Sequence, residues 1–141
     1  MTEFRLHPRL AADSHPLASV TTGRVLLHRN AALPWFIFVP DVSETELLDV
    51  EPALRAAIRA DVDTLAVLVR ERYAADKLNI AAIGNVVEQL HIHVVARFVD
   101  DPCWPAPVWG NLPAGGDYSP EQVEALARAV RAAWPDGGAG P

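Results

Sequence analysis

The chain has 141 residues and a mass of 15.3 kDa, which suits one compact domain, because chains divide into several cores only well beyond about 200 residues. Half of its residues are hydrophobic and 21% are charged, enough apolar side chain for a real core and too little charge for wholesale disorder. A formal net charge of −6 and a pI near 5.2 exclude broad electrostatic adhesion to a nucleic-acid polymer or an anionic membrane, which needs a basic face, so any phosphate must be held locally.

One domain spanning residues 1–141 is expected. Residues 1–19 mix charge with two His-Pro pairs, His7-Pro8 and His15-Pro16, and read as a short helical piece followed by irregular packing. Residues 24–29 are extended in character, residues 30–34 turn the chain, and Trp35-Phe36-Ile37-Phe38-Val39 is a second strand, so the two form a hairpin. Ser43-Glu44-Thr45-Glu46 has the spacing of a capping box and predicts a short helix from Glu44. Pro52 suits the first turn of a longer helix, in which Leu54, Ile58, Val62, Leu65, Val69 and Tyr73 recur at steps of three or four.

Residues 78–83 and 90–98 read as strands, the second with period-two alternation. Residues 101–117 hold four prolines, three glycines and two tryptophans, a composition that forbids regular structure but packs as an ordered loop. Ser119-Pro120-Glu121-Gln122 is a second capping box, opening a final helix to about Trp134, and residues 135–141 read as a frayed tail. The order predicts an α+β domain with an antiparallel sheet of about five strands and helices packed on one face.

The lone Cys103 permits no intrachain disulfide, the start of the chain lacks the basic and apolar regions of a secretory signal, and the longest apolar run, residues 31–39, is too short to span a bilayer. A cytoplasmic protein with no membrane partner is expected.

Strand alternation puts Gln89, His91, His93, Val95 and Arg97 on one face and Leu90, Ile92, Val94, Ala96 and Phe98 on the other. The second set is core. In the first set two imidazoles share a surface with a guanidinium, which suits an anionic substrate. Three readings of His91 and His93 stand at this point. They are solvated polar residues of a sheet face, or two ligands of a metal, or a nucleophile and its partner. A metal site needs a third ligand, which neither Glu88, Cys103 nor Asp100 obviously supplies. Neither a nucleophile elbow nor a P-loop is present, whereas a neutral imidazole can attack phosphorus directly while its neighbour manages a proton, with no cofactor. His28, a lone strand histidine, reads as structural, and Trp104 and Trp109 read as packing residues, with stacking on a base or closing over a phosphate as the alternative.

The stretch Gly84-Asn85-Val86-Val87-Glu88-Gln89-Leu90-His91-Ile92-His93-Val94-Val95-Ala96-Arg97, preceded by Asn79 and by Pro34-Trp35-Phe36-Ile37-Phe38-Val39-Pro40, resembles the histidine triad superfamily of nucleotide hydrolases and transferases. The family pattern is three histidines at alternate positions, then two apolar residues, commonly followed by proline and arginine. Anchored on Arg97, His93 matches the last histidine, His91 the central one, and Gln89 stands in place of the first. The resemblance implies that His91 is the nucleophile that becomes nucleotidylated and that His93 binds phosphate or passes the proton. It implies that Asn79 and Asn85 line the phosphate side, that Asn30 lies near the nucleoside sugar, and that the chain is a homodimer acting on a nucleotide substrate. The substrates implied are nucleoside phosphoramidates or dinucleoside polyphosphates. Gln89 cannot titrate, which bears on any proton relay through the first position. A nucleotide-binding module with little turnover, and a metal-dependent enzyme using His91 and His93 as ligands, are the alternatives.

Overall fold

The computed structural model describes residues 3–134; the expected frayed tail, residues 135–141, lies outside them. Nine elements follow one another: α1 (Pro8–Asp13), β1 (Ser14–Ser19), β2 (Gly23–His28), β3 (Trp35–Pro40), a 3₁₀ turn (Leu47–Asp49), α2 (Pro52–Tyr73), β4 (Lys77–Ala81), β5 (Ile92–Arg97) and α3 (Pro120–Ala133). The five strands form one antiparallel sheet in the order β1-β2-β3-β5-β4. This is the expected α+β architecture.

The expected hairpin is present, with Leu26 opposite Ile37 and Gly23 opposite Pro40. Gly23 is required there, since a Cβ would stand 2.2 Å from the Val39 carbonyl oxygen. Residues 14–19 are a correction, because they form a strand rather than irregular packing. β1 pairs with β2 through a register shift between Pro16 and Ala18. An edge strand tolerates a proline that has no amide hydrogen to give, and the bulge erases the alternation that would have revealed the strand.

A second correction falls at Ser43, where no capped helix begins at Glu44. The chain makes only the 3₁₀ turn, without a side-chain cap, and α2 is capped separately by Glu51, whose carboxylate accepts from the amides of Ala53 and Leu54. α2 buries Ile58, Leu65 and Val69 completely. It also buries Asp61, which accepts from the Thr22 amide (2.8 Å), the Thr22 hydroxyl (2.6 Å) and the Trp134 indole (2.9 Å). A buried carboxylate is tolerable only when so fully satisfied, and these bonds tie α2 to the β1–β2 turn and to the end of α3. The capping box of α3 forms as expected, with Ser119 and Gln122 bonded reciprocally.

Both helices cover one face of the sheet, over Phe36, Phe38, Ile92, Val94 and Ala96. On the other face, Trp35, Ile37, Val39 and Val95 are covered by Phe4, Leu6 and Leu10 from the N-terminal segment and by Val108, Trp109 and Leu112 from the proline-rich loop. That face carries the candidate site. Among the described residues no helix is long and apolar enough to cross a membrane.

Candidate active site

β5 lies inside the sheet between β3 and the edge strand β4, and its alternation sends Ile92, Val94 and Ala96 to the helical core while His93 faces the other way. His91, the residue before β5, projects to the same side. The two rings meet edge to face, with centroids 4.9 Å apart. Both residues are nearly enclosed, at 5% and 7% exposure, so they are not the wet polar residues of an open sheet face. Their neighbours are aromatic and polar: Trp35 lies against His93 at 5.7 Å and Trp109 at 5.1 Å.

The hydrogen bonds set the tautomers. Nδ1 of His91 lies 2.6 Å from the Gln89 carbonyl oxygen. A carbonyl only accepts, so this nitrogen carries the proton and Nε2 carries the lone pair. In His93 the order is reversed. The Trp35 indole donates to Nδ1 at 2.9 Å, an indole only donates, and the proton of the neutral ring therefore resides on Nε2. One ring thus offers a lone pair and the other a donor, and both residues line the same space. Burial, reinforced by the neighbouring His91 and His28, pushes the His93 pKa down to about 3, which keeps this ring neutral at physiological pH.

That space is a cleft of about 350 Å³ lined by His91, His93, His28, Trp35, Trp109 and Asn85 among others, and by Arg9, Leu10 and Asp13 of α1. A second, more polar cavity of about 220 Å³ shares His91 and Asn85 and adds Thr45, Glu46 and Glu88. Among the described residues no group of three or more His, Cys, Asp or Glu side chains is placed to hold a metal ion. An imidazole pair in an aromatic cleft, one ring offering a lone pair and the other a donor, has the groups needed for attack on an electrophilic centre that carries oxygens.

The family model for the HIT domain matches residues 12–100. The chain belongs to the HIT domain family. This is a superfamily of nucleotide-binding proteins, hydrolases and transferases. Solved structures agree with the assignment. A histidine triad protein from Marinobacter aquaeolei VT8 is 35% identical, with a TM-score of 0.87 over 96% of this chain and 98% of that one. A histidine triad protein from Bradyrhizobium japonicum is 31% identical, with a TM-score of 0.87 over 94% and 99%. A third, from Sinorhizobium meliloti 1021, is 33% identical, with a TM-score of 0.86 over 94% and 98%. No curated protein matches the chain.

Of the residues expected at the site of this HIT domain, His91, His93 and Asn85 line the cleft, and four others are engaged elsewhere. Arg97 is 1% exposed. Its Nε and Nη2 donate to Asp101 at 2.8 and 3.2 Å, and its Nη1 donates to Asn79 Oδ1 at 2.8 Å. Arg97 therefore presents no free group to a phosphate, and the Oδ1 of Asn79 is taken by Arg97. Asn30 accepts from the amides of Ala32 and Gly115 and donates to the Pro113 carbonyl, so it pins the proline-rich loop. The Gln89 amide bonds to the N-terminal segment.

Two aromatic residues of the HIT site were not legible as such in the sequence. His28 stacks on Trp35 at 4.0 Å and 10°, its Nδ1 accepts from the Asn30 amide, and burial lowers its pKa against the opposing effect of Asp13. Trp109 brings a buried indole N–H that has no hydrogen-bond partner among the described residues. Only the pairing of β2 with β3, and the return of a loop more than ten residues beyond β5, bring these rings to the histidines. His28 does share the polar side of its strand, a signal the alternation Leu26–His28 contained in weak form.

Proposed function

We propose that this chain is a histidine-triad nucleotide hydrolase or transferase acting at the α-phosphate of nucleoside phosphoramidates or dinucleoside polyphosphates. The observation that carries the reading is the orientation of His91. Its Nδ1–H is held by the Gln89 carbonyl, which leaves the lone pair on Nε2 of a ring that lines one cleft with His93.

In this reading Nε2 of His91 attacks the α-phosphorus. An N–P bond forms as the bond from phosphorus to the leaving group breaks, and the leaving amine or phosphate departs with the bonding pair and the proton that the His93 ring carries, which the attacking water replaces in the second step. The Nε2–H of His93 donates to a phosphoryl oxygen, and the anionic phosphate raises a pKa that burial alone lowers, so the ring can carry a proton while substrate is bound. Water then attacks phosphorus, the nucleoside monophosphate leaves, and His91 is regenerated neutral. The aromatic walls, Trp35 and Trp109, exclude solvent and strengthen these interactions. Asn85, at the junction of the two cavities, is positioned to donate to the transferring group. The same reading carries a homodimer, and the unpaired edge of β4, with Ile80 half exposed, is a surface suited to it.

The test is AMP release from adenosine phosphoramidate and from diadenosine tetraphosphate, each with and without chelator. Release from at least one substrate, unaffected by chelator, is expected. AMP binding without release makes the chain a binding module, and loss of release in chelator makes it a metalloenzyme; either result contradicts the proposal.

A further inference from the structure

Gln89 stands where the family pattern has its first histidine, yet its side chain lines neither cavity beside His91. Its amide reaches a segment more than eighty residues away in sequence. Oε1 accepts from the His7 amide at 2.8 Å, and Nε2 donates to the Arg5 carbonyl at 2.8 Å. We propose that Gln89 is a positioning residue whose amide clasps the N-terminal segment at Arg5 and His7 and so holds α1, whose Arg9, Leu10 and Asp13 line the nucleotide cleft, so that ligand affinity depends on a side chain that does not touch the ligand. The affinity consequence rests on the functional reading above.

The chemistry of the two side chains explains why this position holds glutamine. A primary amide presents a donor and an acceptor side by side in one plane, matched to a carbonyl and an amide hydrogen two residues apart along a chain. The nitrogens of a neutral imidazole also offer one donor and one acceptor, but they diverge across the ring, so histidine makes one of these bonds and forgoes the other.

What the clasp holds is substantial. On one side of it Phe4 lies under the Arg24 guanidinium at 4.4 Å, and Phe4 and Leu6 pack against the Trp35–Ile37 face. On the other side the His7 ring accepts from the Arg9 amide and caps α1. α1 in turn brings Leu10, which is buried, and the exposed charges of Arg9 and Asp13 to the cleft. A six-residue helix has no independent stability, so its position is set by the contacts that flank it. The same residue also holds the nucleophile, since the Gln89 carbonyl accepts from His91. Its backbone orients the reacting ring and its side chain holds the wall.

The test compares wild type with Gln89→Met, which keeps the length of the side chain and removes both hydrogen bonds, and with Gln89→Glu, which keeps the acceptor. Three quantities are read: KM and kcat with adenosine phosphoramidate, AMP affinity by calorimetry, and hydrogen exchange at the His7 amide. In Gln89→Met, KM and the AMP Kd rise by about three- to tenfold, as expected for two lost hydrogen bonds, kcat falls by less than KM rises, and His7 exchanges faster. Gln89→Glu falls between the two. Unchanged His7 exchange and unchanged KM overturn the clasp, as does a fall in kcat with KM held, which would put Gln89 at the reacting atoms. A wild-type chain that neither binds AMP nor cleaves the phosphoramidate overturns the functional reading and the affinity claim with it. Normal turnover with undisturbed His7 exchange in Gln89→Met overturns the clasp alone.

Discussion

His91→Ala lowers AMP release by at least about 10³-fold, the scale of losing a covalent nucleophile whose step no other group can take over. His93→Gln keeps a hydrogen-bond donor but not a titratable ring, and costs about 10²-fold, as expected for a proton-managing residue. AMP affinity in both variants stays within about one order of magnitude of wild type, because the aromatic walls remain. Steady-state release and calorimetry check this pair of results. The ordering is the informative part: equal losses at 91 and 93, with no effect on binding, would contradict the division of labour that the two tautomers assign. The His93 environment also has a pH signature in stability. Its pKa in the folded chain is about 3 against an ordinary 6.5, so below pH 6.5 the unfolded chain takes up a proton that the folded chain refuses. The stabilisation is complete above 6.5 and is lost as pH falls towards 3.

The second large effect is on stability and lies at Arg97. Arg97→Ala is expected to destabilise the chain by about 3–5 kcal/mol, because it strands the Asp101 carboxylate in a buried place. Both side chains of this pair are almost wholly enclosed, at 2% and 1% exposure. Asp101 also accepts from the amides of Phe98 and Cys103, so it gathers the chain as it leaves β5 and enters the proline-rich loop. Burial alone would raise its pKa, but the hydrogen bonds from Arg97, Phe98 and Cys103 overcome this and hold it at about 2. The stabilisation from this carboxylate is therefore whole above its ordinary value of 3.8 and is lost as pH falls towards 2. Urea unfolding of wild type and variant measures the loss. A change below about 1 kcal/mol would mean that the pair is no more than a surface contact. Since Trp109 reaches the cleft from the loop that Asp101 anchors, Arg97→Ala should also weaken AMP binding without touching the ligand.

Regular patterns were the legible part of this chain. The α2 stripe, the Ser119 capping box and the alternation of β5 each concern neighbours in sequence, and each gave its element, although Leu54 at the head of the α2 stripe is exposed rather than buried. β1 was hidden because Pro16 and a bulge break the alternation of an edge strand, and Ser43 misled because a capping box needs a helix behind it. The site follows the same division. Alternation correctly puts Arg97 on the face of the histidines, but a face is not a reach, and the position of Asp101 four residues on decides what the guanidinium binds. Asn30 and Asn79 illustrate the same limit, since the Asn30 amide is taken by a loop and the Asn79 Oδ1 by Arg97. His28 and Trp109 come to the histidines through strand pairing and loop return, neither of which has a local signature. The pattern of Gln89 with His91 and His93 announced a departure from three histidines, and only the course of residues 4–7 reveals what the departure holds.

The most direct test of the central claim is denaturing mass spectrometry after millisecond mixing with adenosine phosphoramidate. The account predicts an adenylyl adduct on the peptide that contains His91, retained in His93→Gln and lost in His91→Ala. An adduct on a different residue, or turnover with no adduct under conditions where the second step is slowed, would contradict it.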